Sequence, residues 1–213
     1  MITVRPYQKK DYRYVQEICV ETSSHGKDSL IHSTVLCALC CDYYLENQPS
    51  FCFVAVDESD IPVGYILCAV DLDNYKEQMT EEYLPLVRKL NGGAYFDYLS
   101  EMKLEQRYYK QGYVAHLHLD VCNNLTRGDG SAQTDSDDTP QEEAKAEIQS
   151  LLLGAILEKL QNTSLNDALV EGAFVFCKET DALISVLEKH GFKEIDYVSG
   201  REVYGKILHG EDE

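Results

Sequence analysis

His116, His118 and Asp120 fall at every second position of the run AHLHLDV. Alternate side chains of an extended strand share one face, so the three would stand in a row. Imidazoles and a carboxylate in a row could ligate a metal ion or supply a general base. Equally, that face could lie under helices with its polar groups satisfied. The strand then breaks into NNLTRGDGSAQTDSDDTP, where Arg127, Gly130 and Ala132 read Arg-x-x-Gly-x-Ala. Glycines let backbone N–H groups approach a phosphate, and a helix start leaves such donors unused. A third pattern is CALCC, where Cys37 and Cys40 have the spacing of a zinc half-site. A zinc centre needs a second pair at suitable spacing, and the sequence offers none. No metal is expected, and most of the eight cysteines read as small core residues.

These residues need elements to position them. ITVRPY reads as a strand, and Asp11 as the cap of a helix with Tyr14, Val15, Ile18 and Cys19 on one face. A second helix is predicted over 30–45 and ends before Pro49. FCFVAV and VGYILCAV are apolar runs joined by the polar turn DESDIP, the strongest hairpin in the chain. A helical stretch follows, disturbed at Pro85 and broken at NGG, then resuming to about position 112. VAHLHLDV is a strand, IQSLLLGAILEKL an amphipathic helix, GAFVFCK a strand, and TDALISVLEKHGF a helix stopped by Gly191. EIDYVS and EVYGKIL close the chain as strands. The expected fold is one mixed α/β domain over 1–213. Its central sheet is flanked by helices, with a helical insertion over 72–112 between strands three and four and an acidic loop over 123–139.

Charge narrows the partners. The 213 residues carry 19 basic and 37 acidic side chains, a net charge of −18. Such a surface repels nucleic acid and anionic membrane, and favours a cationic partner such as an amine. No stretch is long and apolar enough to span a bilayer. The opening MITVRPYQKKDY lacks the apolar segment of a signal peptide, so a reducing cytoplasm is the expected setting. Arg127-Gly128-Asp129 and the two glycosylation sequons then read as chance.

The element order, together with PSFCFVAVDESDIPVGYILCAVD, EEYLPLV, AHLHLDV and LEKHGFKEI, resembles the GNAT superfamily of N-acetyltransferases. Within it, the insertion between strands three and four is similar to the branch of the O-GlcNAcase acetyltransferase-like domain and its bacterial relatives. The resemblance implies the acyl-CoA N-acyltransferase fold, acetyl-CoA as cofactor, and a small amine or a protein amine as acceptor. It implies that backbone groups of Leu119, Val121 and Cys122 meet the pantetheine, and makes His118 or Asp120 the base. Tyr65, Tyr95 and Tyr113 become candidates for the acceptor pocket.

The sequence departs from the family at three places. Aligned from IQSLLLGAILEKL, the phosphate glycines fall on Glu147 and Gln149, and the Gln/Arg position on Ala144. Thr139, Pro140, Gln141 and Glu142 read as a capping box, which starts the helix near Pro140 and places Glu147 and Gln149 inside it. If the Arg127 alignment is taken instead, Asp135, Asp137 and Asp138 face the phosphates; one carboxylate about 6 Å away costs roughly 3 kcal/mol. Aligned on EKHGF, Thr180 stands at the family's asparagine and Leu187 at the tyrosine that protonates the leaving thiolate. Two functions stay open: an amine N-acetyltransferase with a remodelled cofactor loop, and a non-catalytic module that binds a ligand or partner in the old cleft. A helix starting before Glu147 favours the second.

Overall fold

The computed structural model describes residues 1–23, 29–123, 125, 139–165, 168–178 and 182–209. The sheet runs in the order β1-β2-β3-β4-β7-β9-β8. Its first four strands, β1 (Thr3–Pro6), β2 (Cys52–Val56), β3 (Pro62–Ala69) and β4 (Ala115–Val121), pair antiparallel. β7 (Gly172–Lys178) lies parallel to β4, and β9 (Arg201–Ile207) and β8 (Lys193–Val198) complete an antiparallel meander. A short ribbon, β5 (Ser164–Leu165) with β6 (Ala168–Leu169), stands apart. β3 is buried along its whole length, as its unbroken apolar run requires when both faces are covered.

One face of β3 and β4 is covered by α1 (Tyr12–Thr22), which packs on α2 (Leu30–Cys40). The other face carries α7 (Thr139–Gln161), lying over β1 to β4, with α8 (Leu183–Lys189) beside it. Between β3 and β4 the chain runs through α4 (Leu72–Gln78), a wider turn over Met79–Tyr83, α5 (Leu84–Leu90) and α6 (Gly92–Tyr109). Pro85 lacks an N–H and sits in the first turn of α5, where none is needed.

Two local expectations change. The helix foreseen over 30–45 breaks at Cys41, whose φ of −138° leaves the helical region, and resumes as α3 (Asp42–Asn47). The break turns the chain so that Tyr43 and Tyr44 both become buried. Asp11 does not cap α1 with its side chain. Its carboxylate instead accepts from Arg5 Nη1 and Nη2 at 2.7 and 2.9 Å and from the Gln8 N–H at 2.8 Å.

Candidate functional site

β4 and β7 are paired only over 115–117 opposite 173–175. Beyond Leu117 and Val175 the ladder stops while both strands continue, to Val121 and Lys178. The strands part, and a cleft of about 720 Å³ opens between them. Which backbone groups face this gap follows from pairing on the other edge of β4. The Cys122 N–H donates to the Val63 carbonyl at 2.8 Å. Antiparallel pairing alternates, so Asp120 and His118 also turn their backbone groups toward β3, while those of Leu119 and Val121 turn toward the gap. Leu119 and Val121 line the cleft. Cys122, by contrast, is fully buried with its N–H tied to β3.

The cleft has two sides, one for each face of the sheet. His116, His118 and Asp120 share one, as their alternation predicts, and all three line the cleft. Tyr65 Oη donates to Asp120 Oδ2 at 2.6 Å, across a register pair of β3 and β4. His116 stacks flat on Phe174, with centroids 4.7 Å apart. Its Nδ1 lies 3.4 Å from Tyr44 Oη and 3.6 Å from Glu105 Oε1, the latter supplied by α6. Its Nε2 is buried without a partner among the described residues. Burial pushes the pKa of His116 well below the usual value; the charges of His118 and Arg201 add to this. His118 is lowered to about 4, chiefly by burial. Both imidazoles are therefore neutral at pH 7. Arg201 lies over the Phe176 ring at 4.6 Å on the same side. The face both packs under helices and borders a cavity.

Other expectations place differently. Tyr65 serves Asp120 and does not line the cleft. Tyr95 lies under Arg88, whose guanidinium is 5.5 Å from its ring centroid, and Tyr113 crowds Gly205. Neither Tyr95 nor Tyr113 lines the cleft; Tyr98 and Glu105 of α6 do, together with Cys40 of α2. Sequence reasoning missed Tyr98 and Glu105 as cleft residues, since only the return of α6 across the sheet brings them to β4. Leu187 is buried and away from the cleft. Thr180 and the stretch holding Arg127, Gly130, Ala132 and the three aspartates lie outside the described residues. Burial and Lys206 lower the pKa of His190, its Nε2 lies 2.8 Å from Ser150 Oγ, and Lys206 Nζ donates to the His190 carbonyl.

The far side of the cleft is where a diphosphate would rest. α7 begins at Thr139, so Glu147 and Gln149 stand eight and ten residues into it. Their N–H groups serve the helix ladder toward Glu143 and Lys145 and are closed to a ligand. The capping side chain of Thr139 lies outside the described residues. The first turns of α7 are tied to the end of β4: Gln141 donates to the Asn123 carbonyl, and Lys145 Nζ to Asn123 Oδ1 at 3.3 Å. Glu142, Lys145 and Gln149 form the cleft wall there. Glu147 points to solvent, and Gln149 Oε1 is buried without a donor among the described residues. Among the described residues, a diphosphate would meet one lysine, one carboxylate and an unpaired carbonyl oxygen there. The strand gap can take a thin extended chain, but these residues do not fit acetyl-CoA held in the usual way.

Among the described residues, no group of three or more His, Cys, Asp and Glu could hold a metal ion, and no helix is long and apolar enough to cross a membrane. No family model matches the sequence, and the search of curated proteins finds no match. Solved structures do match. SsHAT is 20% identical with a TM-score of 0.67, over 98% of this chain and 99% of that one. The Drosophila melanogaster polyamine N-acetyltransferase, which forms N-acetylagmatine, is 13% identical at 0.59, over 98% and 100%. A GNAT-family acetyltransferase from Staphylococcus aureus Mu50 is 14% identical at 0.50, over 98% and 99%. With its parted central strands and flanking helices, this chain has the fold of the GNAT N-acetyltransferases.

Proposed function

We propose that this chain is a binding module on the acetyltransferase fold, one that takes a ligand between β4 and β7 without the usual diphosphate seat. The observation that carries this reading is the start of α7 at Thr139, which leaves no free N–H at Glu147 or Gln149. Leu187 at the position of the family's acid, and the unpaired Gln149 Oε1, support it. A ligand would meet the open backbone of Leu119 and Val121 on one side and two neutral imidazoles on the other. The protein is read as one domain and as cytoplasmic.

A second reading is an N-acetyltransferase acting on a small amine or a protein amine, with His118 or Asp120 as base. The open backbone of Leu119 and Val121 favours it, as does the amine chemistry of the Drosophila neighbour. Calorimetric titration of acetyl-CoA into the whole chain separates the two. We expect no heat and no thermal shift at millimolar acetyl-CoA. Micromolar binding, which would add about 2.7 kcal/mol of stability at a hundredfold excess over Kd, would overturn the first reading and call for an amine screen.

A further inference from the structure

A cavity at the other end of α1 plays no part in either reading. Thr22, at the C-terminal end of α1, borders the cleft, whereas a pocket of about 1030 Å³ opens around residues 12–17 at its start. The two cavities share no lining residue. The rings of Tyr7, Tyr12 and Tyr14 wall the pocket together with Leu45 and Pro49. Lys9, Lys10 and Arg13 bring three positive charges to it, on a chain whose net charge is −18. The carboxylates around it are already in use. Glu46 Oε1 accepts from Tyr12 Oη at 2.9 Å, and Glu46 Oε2 from Tyr83 Oη at 2.5 Å. Glu17 is engaged as well. Asp11 is held by Arg5, and Asp60 by Arg5 and Lys10. Lys9 and Arg13 are exposed, and among the described residues neither forms an ion pair. The helix end adds to this imbalance. The first turn of α1 holds Arg13 and no acidic residue, and cations are disfavoured at the positive end of a helix dipole.

From these ring walls and this unmatched positive charge, we infer that the pocket is a second binding site, for a small aromatic anion: a flat ring joined to a phosphate. The ring packs among the three tyrosines, whose faces and edges suit an aromatic partner. The phosphate meets Lys9 and Arg13. Hydrogen bonds from such cations to phosphate are the strong kind, and the guanidinium fork can hold two oxygens at once. Tyrosine rings also attract cations. Here a cation is turned away by the three like charges, and it finds both oxygens of Glu46 taken. The start of α1 lies ten residues from Thr22, or about 15 Å along the helix. Both cavities can therefore be filled at once.

The probe is phenyl phosphate, titrated into the whole chain labelled for backbone-amide NMR. We expect saturable shifts at residues 7–17 and 45–48, with the amides of 116–121 unmoved. Inorganic phosphate lacks the ring, phenol lacks the charge, and phenyltrimethylammonium reverses it. Each should bind at least about tenfold more weakly. Lys9→Gln and Arg13→Gln should each weaken phenyl phosphate about tenfold, the worth of one hydrogen bond to a charged group. Neither should lower the melting temperature, since both side chains are exposed and unpaired in the fold. The wild-type map needs no variant, so a misfolded mutant cannot mask the outcome. No shift at millimolar phenyl phosphate, shifts centred on the cleft, equal binding of any of the three controls, or full affinity in both variants would each overturn the proposal.

Discussion

His116 and His118 sit neutral on a strand between aromatic neighbours, and that has a cost in acid. Their pKa values are depressed in the fold, while the unfolded chain titrates near 6.5. Below 6.5 the unfolded chain therefore takes up protons that the folded chain refuses, down to about 4 for His118. Stability present above 6.5 is lost through that window, by up to about 1.4 kcal/mol per pH unit per histidine. Urea midpoints measured from pH 7 to 4.5 should fall, and in His118→Gln the fall should be shallower. An unchanged slope in that variant would mean His118 is charged in the fold. The shared face of these residues was legible, because period-two alternation needs no tertiary knowledge. Their partners were not. Tyr65 reaches Asp120 through the register of β3 with β4, strands that the helical insertion separates, and Glu105 reaches His116 across the turn from α6 into β4.

At the scale of elements, α7 and β7 make opposite predictions about glycine. Gly154 lies inside α7, and a Cβ there would meet nothing within 4 Å. Gly154→Ala should stabilise the protein by about 1 kcal/mol, since glycine carries that penalty in a helix interior. At the start of β7, a Cβ on Gly172 would sit 2.9 Å from the Lys206 carbonyl and 3.0 Å from the Gly112 carbonyl. Gly172→Ala should cost about 1–3 kcal/mol, as overpacking does. Urea denaturation of both variants checks the pair; shifts of the same sign would contradict these contacts. The helical run from 139 agrees with the reading of TPQE as a helix start, because such signals are local. The kink at Cys41 was not, because 30–45 carries helical spacing throughout and the break serves the burial of Tyr43 and Tyr44.

For the whole molecule, net charge sets the response to salt. With −18 on 213 residues, the folded state carries more repulsion than the extended chain. Raising ionic strength from 0.01 to 0.15 M shortens the screening length from about 30 to about 8 Å. The melting temperature should rise by several degrees, and a fall would show that attractive pairs such as Arg5–Asp11 dominate. Element order was largely legible from strand-length runs and the hairpin. The parting of β4 from β7 was not, since neither strand changes composition where the ladder ends. That parting makes a mechanical seam. β1 to β4 form one continuous ladder and β7 to β9 another, joined only over 115–117 and 173–175. A load drawing β1 and β8 apart would concentrate on those few bonds. The sheet would tear along the cleft, as two plates that each stay whole.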